Sequence, residues 1–468
     1  MSRSERLSRK VRKLALRGAI EVHGAASRCW RMGVAYRSAR SRVKPDAAQL
    51  DTIRRQAEAA LADNIMPFWA SHAVDDRYGG FVTHLDRAGQ WLGPTDKYLV
   101  PQARLVWTFA AAHRHGLVGK GYLDMAAAGA RFLVERMWDA KAGGFHWAVQ
   151  RDGRPLIADK DTYGQAFAIF ALSEYALAAD SRWARNWAIT TFDVLIERAG
   201  DGPFGFREKF DAHWLPTPGP AGSGKTVNVH LHLMEALTRL FQATGEERHA
   251  AQLRRLIDLI LSRGVHRRHF YAIDDLLEND WRWKTASPFR MSYGHNVELA
   301  WLVQHAIEVL GDPPEQVRGD VLGLIDHALD YGFDHRRGGL ALAGPPLGQA
   351  RFAWYLGADA CIKRWWEQAE MLVATLAAYE LTGQARYLRA FERQFDWVWT
   401  HQIDHQNGDW FESTDWRTGH PLTLIKGHEW KEPYHGARAL MELSRRLSVL
   451  GGDSSPRAPC GIPSRGGY

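Results

Sequence analysis

The sequence predicts an all-α fold, an (α/α)6 barrel of about twelve helices with short strands in the loops at one end. Three observations carry this. Stretches rich in Ala, Leu, Arg and Glu fill the middle of the chain, with apolar residues at i, i+3, i+4 and i+7. Glycine-aromatic turns recur about every 60 to 70 residues. The segments between the helical stretches are too short for a large sheet. A helix pair cannot bury its apolar face alone, and closing six pairs into a ring solves that problem.

The helical stretches begin near Pro45, Pro101, Tyr122, Thr162, Arg182, Val227, Arg248, Gly294, Glu315, Arg364, Ala385 and His428. The turns read YGGF (78–81), AGGF (142–145), GPFGF (202–206), RGGL (337–340) and NGDWF (407–411). RHFYAIDD (268–275) stands where the remaining copy is expected. The helices starting near 101, 162, 227, 294, 364 and 428 follow the turns and are assigned to the inner ring. Their first turns carry Arg104, Tyr163, Gln165, His232, His295, Trp366, Glu370 and His435. Starts that share one end of a barrel converge on one pocket.

The flanks differ from this body. Residues 1–45 form an Arg/Ser-rich extension expected to be disordered, and 451–468 a Gly/Pro/Ser tail of the same kind; the catalytic barrel spans 46–450. Residues 1–44 hold thirteen Arg or Lys against Glu5 and Glu21, so the chain's +7 leaves −4 on the remainder. The basicity therefore does not describe a nucleic-acid-binding surface on the fold. Three scattered cysteines, Cys29, Cys361 and Cys460, argue against a disulfide framework or zinc ribbon. The sequence shows no apolar run long enough to span a membrane and no secretory signal, so a cytoplasmic enzyme without membrane partners is expected.

The motif richest in chemistry is SYGHNVELAW (292–301), where His295 and Glu298 share a helix face. NVHLHLMEAL (228–237) sets His232 three residues before Glu235, and WKEPYHGAR (430–438) sets His435 three before Arg438. A lone helical histidine is usually structural. Three in corresponding places, each beside an ionisable group, favour chemistry. Imidazole serves as base and acid near neutrality, which suits proton removal next to a carbonyl. Arg104 in PQARLVWTF is the candidate to steady the resulting enediolate, with His232 as a second donor.

Rival readings are open, and the first uses the same residues. His232, His295 and His435 with Glu298 have donors for zinc or manganese but no tight ligand spacing, so no metal or other cofactor is assigned. GPAGSGKT (219–226) matches a phosphate-binding loop in full, yet HWLPTP (213–218) before it lacks the strand that loop requires; it is read as a loop over the barrel mouth. Asp75, Asp76, Glu370, Asp409 and Glu429 are the carboxylates that glycoside hydrolysis on the same barrel would draw on. A non-catalytic sugar-binding protein is the remaining alternative.

Taken together, FW with DDRYGGF (68–81), QARLVWTFA (102–110), DTYGQAFAIFALSEY (161–175), NVHLHLMEAL, SYGHNVELAW, WWEQAE (365–370) and WKEPYHGAR resemble the N-acylglucosamine 2-epimerase superfamily, in family order over roughly 46–448. The resemblance implies an (α/α)6 barrel and a cofactor-independent 2-epimerase or aldose–ketose isomerase of a free sugar, monomeric or homodimeric. It implies that His295 and His435 are the acid/base pair at C2. Arg104 would contact the sugar oxygens, His232 would hydrogen-bond nearby, and Glu298 would support His295. Trp69, Tyr163, Trp366, Glu370 and Trp430 would bind the sugar, the tryptophans as stacking walls.

Overall fold

A computed structural model describes residues 41–451 except 94, 219–223, 273–277, 283–290, 349 and 351–361. The basic extension up to residue 40 and the tail from 452 lie outside the described residues. The extension's last residues belong to the body: Val43 N–H donates to Gly383 O at 3.1 Å, and the Tyr379 hydroxyl donates to Val43 O at 2.7 Å.

Twelve helices follow. The first, α1, runs Ala47–Ala59 and is prolonged through a π-helical turn, Ala60–Ile65, into Met66–His72. Then come α2 (Leu99–Arg114), α3 (Tyr122–Phe132), α4 (Thr162–Ala179), α5 (Arg182–Arg198) and α6 (Val227–Thr244). The second half holds α7 (Glu247–Leu259), α8 (Tyr293–Leu310), α9 (Glu315–Tyr331), α10 (Trp365–Thr382), α11 (Ala385–Trp397) and α12 (Tyr434–Leu450). The even-numbered helices pack each on the next, and α12 closes back on α2. The odd-numbered helices lie outside, each against the preceding inner helix, with α1 on α12. This is the expected (α/α)6 barrel.

Sequence separates the rings. Inner α4, TYGQAFAIFALSEYALAA, is apolar on nearly every side because neighbours cover it all round. Outer α11, ARYLRAFERQFDW, buries only a stripe that includes Leu388, Phe391 and Phe395. Asp161, Thr226 and Ser292 cap α4, α6 and α8 by accepting from the N–H of Tyr163, Val229 and His295. The last helix starts at Tyr434 rather than near His428, because 428–431 closes a small turn and Pro433 sits at the helix entry.

The six turns obey one scheme. Bridges Val74–Phe81, Trp138–Phe145, Gly200–Phe206, Val265–Ala272, Phe333–Leu340 and Ile403–Trp410 close them, so 265–272 is the sixth copy. At Gly80, with φ +69°, an added Cβ would come within 2.7 Å of Gln102 Oε1. That close approach serves a clamp: Gln102 donates to Phe81 O and accepts from Phe81 N–H. Gln165 holds Phe145 and Gln368 holds Leu340 in the same way.

A buried lysine joins each of five turns to the start of an inner helix. Lys97 binds Asp75 at 2.9 Å, Lys160 binds Asp139 at 3.0 Å, and Lys225 binds Asp201. Lys363 lies 3.7 Å from Asp334, and Lys426 binds Asp404 at 3.0 Å. Short antiparallel pairs at the same end complete the rim: β1 (Lys97–Tyr98), β2 (Ala148–Val149) and β3 (Pro155–Ile157); β4 (Lys160–Asp161) with β5 (Lys209–Phe210); β6 (Met291–Ser292) with β7 (Ala343–Gly344); β8 (Ile362–Arg364) with β9 (Ser413–Asp415). Among the described residues no helix is long and apolar enough to cross a membrane.

Candidate active site

The inner-helix starts meet at the rim end. His435, in the first turn of α12, is buried, and its Nδ1 lies 2.7 Å from Glu370 Oε1 on α10. Trp301 Nε1–H donates to the other oxygen of Glu370 at 2.7 Å. His232 on α6 places Nδ1 3.2 Å from Glu235 Oε2. His295, at the start of α8, is only half buried. Its ring centroid lies 5.0 Å from that of Trp366, which lies 5.8 Å from that of His435. The two proposed proton-transfer histidines therefore share one tryptophan neighbour.

Charge fills the floor. Arg104 on α2 donates to Glu432 at 2.7 Å and to the Tyr163 hydroxyl at 2.9 Å, with Phe167 under its guanidinium at 4.2 Å. Arg438 on α12 donates to Glu298 at 2.9 Å and Glu370 at 2.7 Å, and also to Glu235 and the Tyr434 hydroxyl.

Burial, reinforced by Arg104 and Arg438, holds His435 well below the ordinary imidazole range. Burial takes His232 down to about 4, against the pull of Glu235. Both rings are neutral near pH 7. A neutral imidazole that donates Nδ1–H to a carboxylate keeps its lone pair on Nε2. Burial and the charge of Glu370 lift Glu298 to about 8 against Arg438. Burial opposes ionisation of Glu235 too, but Arg438 and His232 hold it down at about 2.

Several expectations change. Glu298 hydrogen-bonds Arg438 and lies 3.8 Å from His435 Nδ1, so its bond does not go to the neighbour three residues before it. Glu370 orients His435 rather than facing a sugar, because all three of its partners are protein donors. With Nδ1–H given to Glu235, neutral His232 offers Nε2 as an acceptor, which leaves Arg104 as the donor. Trp69 has no exposed surface and packs edge-on against Phe68 in the core, so it is no wall of an open pocket. Tyr163 sits edge-on to His232 at 5.1 Å, and Trp430, 45% exposed, stands at the rim 6.2 Å from Tyr163 and 5.9 Å from Trp147. Sequence reading gave no role to Glu432, Tyr434, Trp301 or Trp147. Their signal was their place inside the quoted motifs or one strand from them.

The rival sites look different in three dimensions. Glu298, Glu370 and His435 have ligand-like atoms within 4.8 Å of one another, and the cation among them is Arg438. Asp75 is bound by Lys97 and Arg151, and Asp409 by Lys431, while Glu429 meets His84 at 3.3 Å and Asp76 is exposed. They make no facing acid pair. Residues 219–223 of GPAGSGKT lie outside the described residues, and Lys225 is 0% exposed with its ammonium on Asp201, Phe204 O and Asn279 O.

One buried acid yields a pH prediction. Glu367, beside Trp366, is 0% exposed, and neither carboxyl oxygen has a hydrogen-bond partner. Burial lifts it from 4.5 to about 8. A raised carboxylate supports the fold fully below its unfolded pKa, and that support is lost as pH rises through the folded one. Glu367→Gln mimics the neutral acid in both states. Its stability relative to wild type is therefore expected to increase from pH 5 to pH 8, read from urea midpoints at both; a constant difference counts against it.

Relatives of this chain include sugar epimerases and isomerases. The cellobiose 2-epimerase of Ruminococcus albus is 30% identical over 82% of this chain and 97% of its own. The D-mannose isomerase of Marinomonas mediterranea is 24% identical over 83% and 97%. The solved cellobiose 2-epimerase of Spirochaeta thermophila superposes with a TM-score of 0.76 at 32% identity, covering 86% of this chain and 98% of that one. The class is thus a sugar epimerase or isomerase. Residues 79–439 match the N-acylglucosamine 2-epimerase (GlcNAc 2-epimerase) family, and the chain belongs to it.

Proposed function

We propose that this enzyme epimerises or isomerises a free aldose at C2 by histidine acid/base transfer through an enediolate. The observation that carries it is His435, buried, with Nδ1 on Glu370 and its ring beside the tryptophan that also flanks His295. A neutral imidazole so held is a base at Nε2. It takes the C2 proton of the ring-opened sugar, and charge develops on the C1 oxygen, where Arg104 is the cation at hand. Return of a proton to the other face of C2 by the second histidine gives the epimer; return to C1 gives the ketose. The relatives, cellobiose 2-epimerases and a D-mannose isomerase, support this range of outcomes.

The test is proton NMR in D₂O with mannose, glucose, N-acetylglucosamine, N-acetylmannosamine and cellobiose, each alone. Loss of a C2 proton signal with growth of an epimer or ketose is expected for at least one. No exchange with any of the five would overturn the reading.

A further inference from the structure

Arg438 is the meeting point of four inner helices. It projects from α12, and its partners Glu235, Glu298 and Glu370 come from α6, α8 and α10. One edge of the guanidinium serves Glu235 and the Tyr434 hydroxyl, and the other serves Glu298 and Glu370. The Trp301 and Tyr434 rings lie 4.8 and 4.4 Å from its centre. Two of these carboxylates are the ones on which His232 and His435 rest their Nδ1 atoms.

We propose that Arg438 is a positioning residue of the reaction: by gathering the carboxylates of Glu235 and Glu370 on one guanidinium, it holds both His232 and His435 as Nδ1–H tautomers and makes a proton gained by either imidazole felt at the other. The proposal rests on the C2 proton-transfer reading.

The physics is a competition for oxygens. Glu370 Oε1 accepts from both His435 and Arg438, so a proton arriving on Nε2 of His435 strengthens one of these bonds at the expense of the other. The change passes through the rigid fork to Glu235, and so to His232. The other charged or titratable groups facing the cluster are Arg104 from α2, Tyr163 from α4, Glu298 and His295 from α8, and Glu432 before α12. Among the described residues, Arg438 alone hydrogen-bonds the carboxylates of both Glu235 and Glu370. A lysine keeps the charge but not the planar fork with donors on two edges.

The experiment compares wild type with Arg438→Lys. Wild type should show imidazole ¹⁵N NMR signals with protonated Nδ1 for both His232 and His435 at neutral pH, assigned with His232→Gln and His435→Gln. In Arg438→Lys the His435 signal should lose that signature. The kcat for C2 exchange should fall about 10²-fold, KM should change much less, and the pH dependence of kcat should shift. A merely structural arginine would leave the tautomers and the pH profile unmoved, and that result overturns the proposal. So does a wild-type spectrum with either histidine protonated on Nε2, which decides the matter even if the variant does not fold. Protonated Nδ1 in wild type, altered in Arg438→Lys, but with no turnover of any sugar, would refute the C2 reading and leave the tautomer assignment standing.

Discussion

His435→Ala is expected to abolish net conversion at C2, with a loss of at least about 10² in kcat, because among the described residues no other imidazole hydrogen-bonds Glu370. His295→Ala should do the same to net epimerisation. The two variants should differ in solvent exchange. If each histidine serves one face of C2, the remaining one still removes the proton it faces. Each variant then exchanges deuterium into one epimer of a substrate pair and not the other. NMR in D₂O, started separately from each epimer, reads this directly. Equal residual exchange from both epimers in both variants would rule out the two-base assignment.

Lys225→Met should cost about 3 kcal/mol of stability, the lower end for breaking a buried ion pair, since Asp201 keeps some exposure and a weak contact with Arg207. The lysine ties the third glycine turn to the start of α6, and Asn279 O loses a donor with it, while Phe204 O keeps that of Trp281 Nε1–H. Denaturant midpoints of wild type and variant measure the loss. An unchanged midpoint together with lost binding of a nucleoside triphosphate would restore the phosphate-loop reading. The lesson is chemical: the pattern GxxxxGKT requires a lysine in contact with phosphate, and this ammonium has three protein partners.

The repeat was legible because it is local. Periodicity, capping residues and paired glycines are written in neighbouring residues, so eleven helix starts fall within a few positions of their expectations. The twelfth missed by six residues where Pro433 delayed the helix. The Asp–Lys ties were also present as a pattern, an aspartate four residues before a turn glycine and a lysine before the next inner helix. They went unread because a charge beside a turn ordinarily belongs to solvent.

By itself, then, the sequence determined the barrel, the alternation of inner and outer helices, and the three histidines at inner-helix starts. Only the tertiary structure decided who touches whom. Spacing along one helix paired His295 with Glu298, while ring closure brought Arg438 from 140 positions away to take that carboxylate. Glu370 became the partner of His435, Trp69 became core, and Lys225 became a strut. The reason is that a buried charge must find a partner or give up its proton, and in a closed ring that partner comes from whichever helix faces it across the axis, which no local pattern records.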